Sequence, residues 1–519
     1  MVNQEERKRR SYIIDNKQYE LLIPGYPKGS NITVINTAYT PRTKLDDGSY
    51  VKDFIGILYR DNTTGAKKYH IIEEPKYTFY KVKNPEDEVD YNRFFIEKEK
   101  VIPCTCKYAD ILKAIAEVTD RVEEYEKNRA NNQFAENRKL HTDPRIFMSD
   151  IQIENYYKFL FNLSYKNDVF KLTKGFIDIE TDTAYCNGQF PEPGEVPINA
   201  IAYCDDAHGI VYQFLLNDQN NPLIERYMGY TRQSGFQDEL KNFVINAVGG
   251  YKKAVKFGVD KMTYRLEFFD NEIDLIQAAF NVINQTVPDF IEAWNMAFDL
   301  AYIIHRIENL GYDPLDIICD PRIELRFLKF YIDERNRNNY EERGDYVNVS
   351  SYTVWLDQMI EFASRRKGRG RYPSFKLDAI GEIVAGVKKL DYSHITNDLG
   401  KLPYIDFKTF SFYNVMDVIV QKCIESSTND LEYVFTKCLV NNTNYAKCHR
   451  QSVYLANRFC KEFFEYGYIL GNNKNLWNEK PTTKFPGAMV GDPTHNAEIV
   501  MMHVNGRPTL LANNAVDFD

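Results

Sequence analysis

The chain has 519 residues, a net charge of −9, 44% hydrophobic and 27% charged residues. At about 100–200 residues per domain, that length predicts roughly two to four domains with ample core. The acidic balance excludes a wholly basic nucleic-acid binder but leaves room for a local basic groove, and 37 Tyr and 33 Phe supply aromatic surface for packing or base stacking.

The N-terminus from Gln4 to Arg10 is polar and charged, and no apolar run of about 18 residues follows, so we expect a cytoplasmic protein without a membrane partner. Residues 1–165 mix strand-like runs with charged loops and read as an α+β N-terminal domain. Tyr50–Tyr59 and Tyr77–Val82 are its clearest strands. The nine cysteines are scattered, and the one close pair, Cys104-Thr105-Cys106, lacks zinc-ligand spacing, so buried structural thiols in a reducing compartment are expected. Apolar residues at Ile111, Ile115 and Val118 predict a helix over Asp110–Lys127, and polar residues 128–142 a loop or linker.

A second domain, 166–424, opens with an apolar strand around Asp178. Strands at Ile198–Tyr203 and Gly209–Leu216, helices at Gln237–Val248 and Asn271–Asn284, and a strand at Asp289–Trp294 follow. Strands first, then alternating helix and strand, predict an α/β domain around a mixed sheet. Phe407–Cys423 reads as a helix, residues 425–482 as largely helical, and the polar, Pro-broken stretch 471–484 as a boundary. The basic run Arg365-Arg366-Lys367-Gly368-Arg369-Gly370-Arg371 reads as a flexible loop, either contacting phosphates or simply solvated. There is no internal repeat and no low-complexity segment.

Three acidic clusters stand out. In Phe176-Ile177-Asp178-Ile179-Glu180 the two acids sit two residues apart on a strand, so they share a face. A divalent cation between them would offset the cost of burying like charges; a sheet edge with two solvated acids is the plainer alternative. In Trp294-Asn295-Met296-Ala297-Phe298-Asp299 the final acid falls in the first turn of a helix, where the dipole favours an anion with or without a functional role. In Tyr413-Asn414-Val415-Met416-Asp417 a phenol and an acid lie one turn apart on one helix face. Together, these acids suit two-metal phosphodiester hydrolysis, in which oxygen ligands select Mg²⁺ or Mn²⁺ and Tyr413 can orient the attacking water. No P-loop, G-x-G-x-x-G or nucleophile elbow competes with that reading.

In order, the three clusters resemble the exonuclease motifs of family B DNA polymerases, of the kind carried by T-even-like tailed bacteriophages. Phe190-Pro191-Glu192-Pro193 with Ile198–Tyr203, and Lys376-Leu377-Asp378-Ala379-Ile380, resemble further family segments. The resemblance implies a ribonuclease-H-like 3′→5′ proofreading exonuclease, part of a DNA-directed DNA polymerase (a nucleotidyltransferase of DNA replication). It implies Asp178, Glu180 and Asp417 as principal ligands of two Mg²⁺ or Mn²⁺ ions, Asp299 as a second-site carboxylate and Tyr413 as the residue that positions water. Asn295 and Phe298 would contact the single-stranded 3′ end of a primer-template, although Phe298 could equally be core.

Residues 483–519 resemble the start of a palm. Lys484–Val490 with Asp492-Pro493 are similar to its approach, and Asp519 corresponds to the first catalytic aspartate, a metal ligand in a complete polymerase. The expectation is that synthesis needs a separate C-terminal chain carrying the remaining palm, fingers and thumb, through which a sliding clamp could bind. A split gene, an intein junction or a deliberate fragment would each account for this. If phage-encoded, the protein would work in the host cytoplasm. The alternative is a mainly structural, template-binding half with weak nuclease activity.

Overall fold

The computed structural model describes residues 11–44, 50–84, 95–184, 186, 191–333, 346–367 and 372–472, together with the backbone of strands at 499–504 and 507–512. Residues Met1–Asn472 form one compact unit and Asn473–Asp519 a second. Within the second, Ile499–Val504 and Arg507–Ala512 pair as an antiparallel hairpin. The expected boundaries at 165 and 424 fall inside the first unit. The expected palm approach at Lys484–Pro493, Asp519, Phe190 and the Gly368–Arg371 part of the basic run lie outside the described residues.

The N-terminal part holds two three-stranded antiparallel sheets. One joins Ile32–Thr40, Phe54–Asp61 and Lys67–Glu73; the other joins Val101–Lys107, Lys76–Val82 and Ile146–Phe147. The expected strand Tyr50–Tyr59 is interrupted. Tyr50–Val51 pairs with Thr43–Lys44, and Phe54–Asp61 starts afresh after Asp53, which is buried and accepts a hydrogen bond from the Tyr39 hydroxyl at 3.1 Å. The expected helix Asp110–Lys127 is also two helices, Ile111–Val118 and Val122–Ala130. Asp120 between them is left-handed at φ 59°, and the Thr119 hydroxyl bonds back to the Ile115 carbonyl at 2.7 Å. Nor is 128–142 a plain linker. It contains the short helix Phe134–Arg138, on which buried Asn137 donates to the Tyr125 carbonyl and accepts from Asn128.

The second part is built on a six-stranded mixed sheet. Its strands are β1 (Lys174–Thr181), β2 (Ile198–Asp205), β3 (Ile210–Leu216), β4 (Thr263–Phe269), β5 (Phe290–Ala293) and β6 (Val354–Asp357). The spatial order is β4-β3-β2-β1-β5-β6. β2 runs antiparallel to both β1 and β3, while β3–β4, β1–β5 and β5–β6 are parallel pairs. Alternation along the strands builds two separate cores. Phe176, Ala200, Ala202, Cys204, Val211 and Leu215 belong to one, beneath α4 (Leu377–Ala385) and α5 (Phe407–Thr428). Ile177, Ile179, Ile201, Tyr203, Tyr212 and Phe214 belong to the other, beneath α1 (Glu272–Thr286) and α2 (Met296–Asn309). Since Asp178 and Glu180 share parity with Phe176, the pleat turns them toward α5.

The chain then returns to the N-terminal core. α6 (Asp430–Val440) and α7 (Gln451–Glu465) contribute Leu431, Val434, Phe435, Cys438, Cys460 and Phe464 to the same apolar cluster as Leu21 and Tyr77. Strand Tyr468–Leu470 pairs with Phe95–Glu97.

Arg365 and Arg366 of the expected basic loop have a different role. Arg365 closes α3 (Gln358–Arg365), and both arginines bond to buried Asp430, at 2.6 and 2.8 Å. They weld α3 to the start of α6 rather than waiting for phosphate.

Candidate active site

The site forms where β1 passes beneath the first half of α5. The β1–β2 register slips just beyond Glu180, with Glu180 opposite Ala200 but Thr181 opposite Ile198, a bulge that re-aims the end of the strand. Asp178 and Glu180 are half-buried, whereas Asp417 on α5 is only 1% exposed. Carboxylate oxygens of Asp178, Glu180 and Asp417 lie within 4.8 Å of one another. α5 is held over the sheet by buried polar bonds on either side of Asp417. Gln213 on β3 donates to the Ser411 carbonyl at 2.8 Å, and Gln421 donates to the Ile177 carbonyl at 3.2 Å.

Asp299 joins from the other side of β1. The parallel ladder from β1 to β5 ends at Phe176 opposite Glu292, and further along β1 the Ile179 N–H donates to the Asp299 carboxylate. Asp299 is brought there because the chain turns sharply after β5. Asn295 takes φ 82°, a left-handed conformation that Asn tolerates better than most residues, and α2 starts at Met296. Asn295 and Phe298 sit at this turn; Phe298 is half-buried against the second core and packs on the Tyr302 ring at 5.5 Å. Tyr413, one turn before Asp417, is buried and packs edge-on against Tyr392 at 5.4 Å.

A residue not anticipated from the sequence, Lys389, completes the cluster. Its Nζ lies 2.6 Å from Asp417 Oδ2 and donates to the Tyr413 hydroxyl at 2.9 Å. The Lys389 backbone N–H donates to Asp378 Oδ1 at 2.8 Å, so the Leu377-Asp378 start of α4 fixes the loop that carries it. Asp357, also not anticipated, sits at the end of β6, close enough to raise the Asp299 pKa.

The charges do not balance. Four carboxylates face one ammonium group. Asp178, Glu180 and Asp417 lie within 4.8 Å of one another, and at such a separation with an effective dielectric near 20 each like-charge pair among these three would cost roughly 3–4 kcal/mol if both were ionised. Burial, then Asp417 and Asp299, push Asp178 well above the usual carboxylate range. Burial, then Asp417, push Glu180 up to about 8. Burial raises Asp417 to about 6, against the pull of Lys389. Burial, then Asp357, raise Asp299 well above its ordinary value. Burial alone would lower Lys389, but Asp417, Tyr413 and the β1 pair hold it well above the ordinary lysine value. Burial also keeps the Tyr413 phenol protonated. Asp417 Oδ1 is buried with no hydrogen-bond partner. A cradle of hard oxygens with surplus negative charge and a spare acceptor fits divalent cations.

A family model for the exonuclease domain of DNA polymerase family B matches residues 86–380, more than half of the chain. The chain belongs to the family B DNA polymerases. The matched exonuclease domain contains Asp178, Glu180, Asp299 and Asp378, while Lys389, Tyr413 and Asp417 follow beyond it. The DNA polymerase catalytic subunit of Gallid herpesvirus 2 (strain Chicken/Md5/ATCC VR-987) is 22% identical over 166 residues, covering 30% of this chain. The chain spans 12% of that relative's length. Among the described residues of this family B chain, no helix is long and apolar enough to cross a membrane.

Proposed function

We propose that the exonuclease domain removes nucleotides from the 3′ end of single-stranded DNA, as the proofreading part of a DNA-directed DNA polymerase resembling those of T-even-like tailed bacteriophages. The carrying observation is the convergence of Asp178, Glu180 and Asp417, from one strand and one helix, within 4.8 Å. The ribonuclease-H-like reading is supported by the mixed sheet with β2 antiparallel at its centre and α5 lying across it. On this reading residues 166–424 would be the nuclease proper, 1–165 the N-terminal domain and 425–482 the segment that returns toward it.

Asp178, Glu180 and Asp417 would hold Mg²⁺ or Mn²⁺, with Asp299 serving a second ion. Two such ions would supply Lewis-acid stabilisation of the attacking and leaving oxygens of the phosphodiester. The chain's own groups do the rest. Tyr413, kept protonated and fixed by Lys389, presents a hydroxyl that can hydrogen-bond a water. Lys389 offers a charge-assisted donor to a phosphate oxygen. Asn295 and half-buried Phe298 lie at the Asp299 side, placed to meet a terminal nucleotide by hydrogen bond and stacking. On the resemblance of 484–493 to a palm approach, the substrate is the frayed primer end handed over by a polymerase centre, in the host cytoplasm.

Polarity tests this reading. A 5′-labelled single strand with Mg²⁺ should shorten in one-nucleotide steps, while a 3′-labelled strand should release labelled mononucleotide first. Internal cuts, or release from the 5′ end, would contradict it.

A further inference from the structure

A second cluster of metal-ligand side chains lies apart from the exonuclease acids. Glu361 on α3, Cys448 and His449 present one ligand atom each within 4.8 Å of one another. Cys448 and His449 follow the single turn Tyr445–Lys447, between α6 and α7. Glu361 is 3% exposed, Cys448 1% and Cys438 0%. Cys438, on α6, is in hydrogen-bond contact with Cys448.

Hydrogen bonding around His449 is compatible with a tautomer that leaves Nε2 available. The Ser364 hydroxyl donates to the Glu361 carbonyl at 3.3 Å, which leaves its oxygen to accept from His449 Nδ1 at 2.9 Å. With the proton on Nδ1, a neutral imidazole directs the lone pair of Nε2 toward Glu361 Oε1 at 3.2 Å and Cys448 Sγ at 3.3 Å. A nitrogen lone pair, a carboxylate and a sulfur thus converge on one point. An imidazole whose remote N–H is held by a neighbour is the usual support for a metal-binding histidine.

Glu361 is short of partners in other respects. Its Oε2 is buried without a hydrogen-bond partner. The nearby arginines are already taken, Arg365 and Arg366 both by Asp430. A cavity lined by Met296, Ala297, Asp357, Glu361, Tyr445 and His449 borders two of the donors.

We propose that Glu361, Cys448 and His449 bind a zinc ion, with Cys438, in contact with Cys448, moving in as the fourth donor. The donor set is one that Zn²⁺ accepts, and tetrahedral donors about 2.0–2.3 Å from the ion lie roughly 3.3–3.8 Å apart, close to the 3.2 and 3.3 Å that separate His449 Nε2 from Glu361 Oε1 and Cys448 Sγ. The thiols release their protons on binding. The ion would clip α3 of the nuclease to the turn that leads back into the N-terminal core. The proposal is independent of the exonuclease reading, whose ligands are all oxygens.

The test uses the full chain, reduced, stripped with a chelator and titrated with Co²⁺. The expected result is one thiolate-bound Co²⁺ per chain, besides any held by the exonuclease carboxylates, with a thiolate-to-cobalt charge-transfer band and strong tetrahedral visible bands, both erased by Zn²⁺. Cys448→Ser and His449→Gln should lose the charge-transfer band or the tetrahedral bands, while Asp178→Ala with Glu180→Ala should keep both. Zinc should raise the Tm of the stripped Asp178→Ala with Glu180→Ala chain, in which the exonuclease acids no longer compete, and this decides the matter even where a Cys448 or His449 variant fails to fold. A folded wild-type chain that shows no thiolate–cobalt band, or an Asp178→Ala with Glu180→Ala chain whose Tm ignores zinc, would overturn the proposal; His449 would then be a protonated partner of Glu361.

Discussion

Glu180 shows most directly how the acidic cluster sets the behaviour of the metal-free protein. Its pKa is raised to about 8, so between the ordinary carboxylate value and about 8 the folded chain holds a proton that the unfolded chain does not. That contribution is fully present below the unfolded pKa and is lost as pH rises through about 8. In chelator, wild-type stability should therefore fall between about pH 5 and 8.5, and Glu180→Gln should fall less, measured by urea unfolding at each pH. Parallel curves for the two proteins would argue against the charge crowding. With Mg²⁺ present the dependence reverses, because the ligands must lose their protons to bind, so affinity should climb across the same window.

Among the elements, α4 and α5 decide whether Lys389 reaches the acids. Gly381 on α4 packs directly against α5; a Cβ there would lie 2.6 Å from Val420 Cγ1 and 2.7 Å from the Val387 carbonyl. Gly381→Ala should therefore cost about 1–3 kcal/mol and displace the loop from Gly386 to Lys389. Nuclease turnover of the folded variant should drop well below wild type at a temperature far under its Tm; unchanged Tm and turnover would refute this packing argument. The same elements explain what the sequence could and could not reveal. Period-two alternation put Asp178 and Glu180 on one face, and helical spacing put Tyr413 and Asp417 on another, because both are local regularities. Lys389 carries no local mark: its place depends on Asp378, eleven residues earlier, and on Asp417 in a different helix. The single helix expected over Asp110–Lys127 breaks although its apolar period continues, because Asp120 is left-handed. Arg365 and Arg366 looked like a solvated charge run because their partner, Asp430, lies far along the chain.

At the scale of the molecule, the segment after α5 binds the nuclease to the N-terminal core. The Tyr445 hydroxyl donates to the Ile35 carbonyl at 2.7 Å, Asn444 donates to the Thr37 carbonyl at 2.9 Å, and buried Lys158 donates to the Thr443 carbonyl at 2.9 Å. Tyr445→Phe leaves a buried carbonyl unpaired and should cost about 1–3 kcal/mol. If Met1–Asn472 unfolds as the one unit it forms, calorimetry should show that loss as a shift of a single transition. A separate early transition for the nuclease, with the remainder unmoved, would mean the weld is weak. The central claim, however, rests on the β1 acids. The measurement that tests it most directly is Mg²⁺-dependent shortening of a 5′-labelled single strand by wild type and by Asp178→Ala with Glu180→Ala. Losing ligands worth several kcal/mol in the transition state should slow the double variant by at least about 10²-fold while its fold persists. Equal digestion by the two proteins would contradict the assignment.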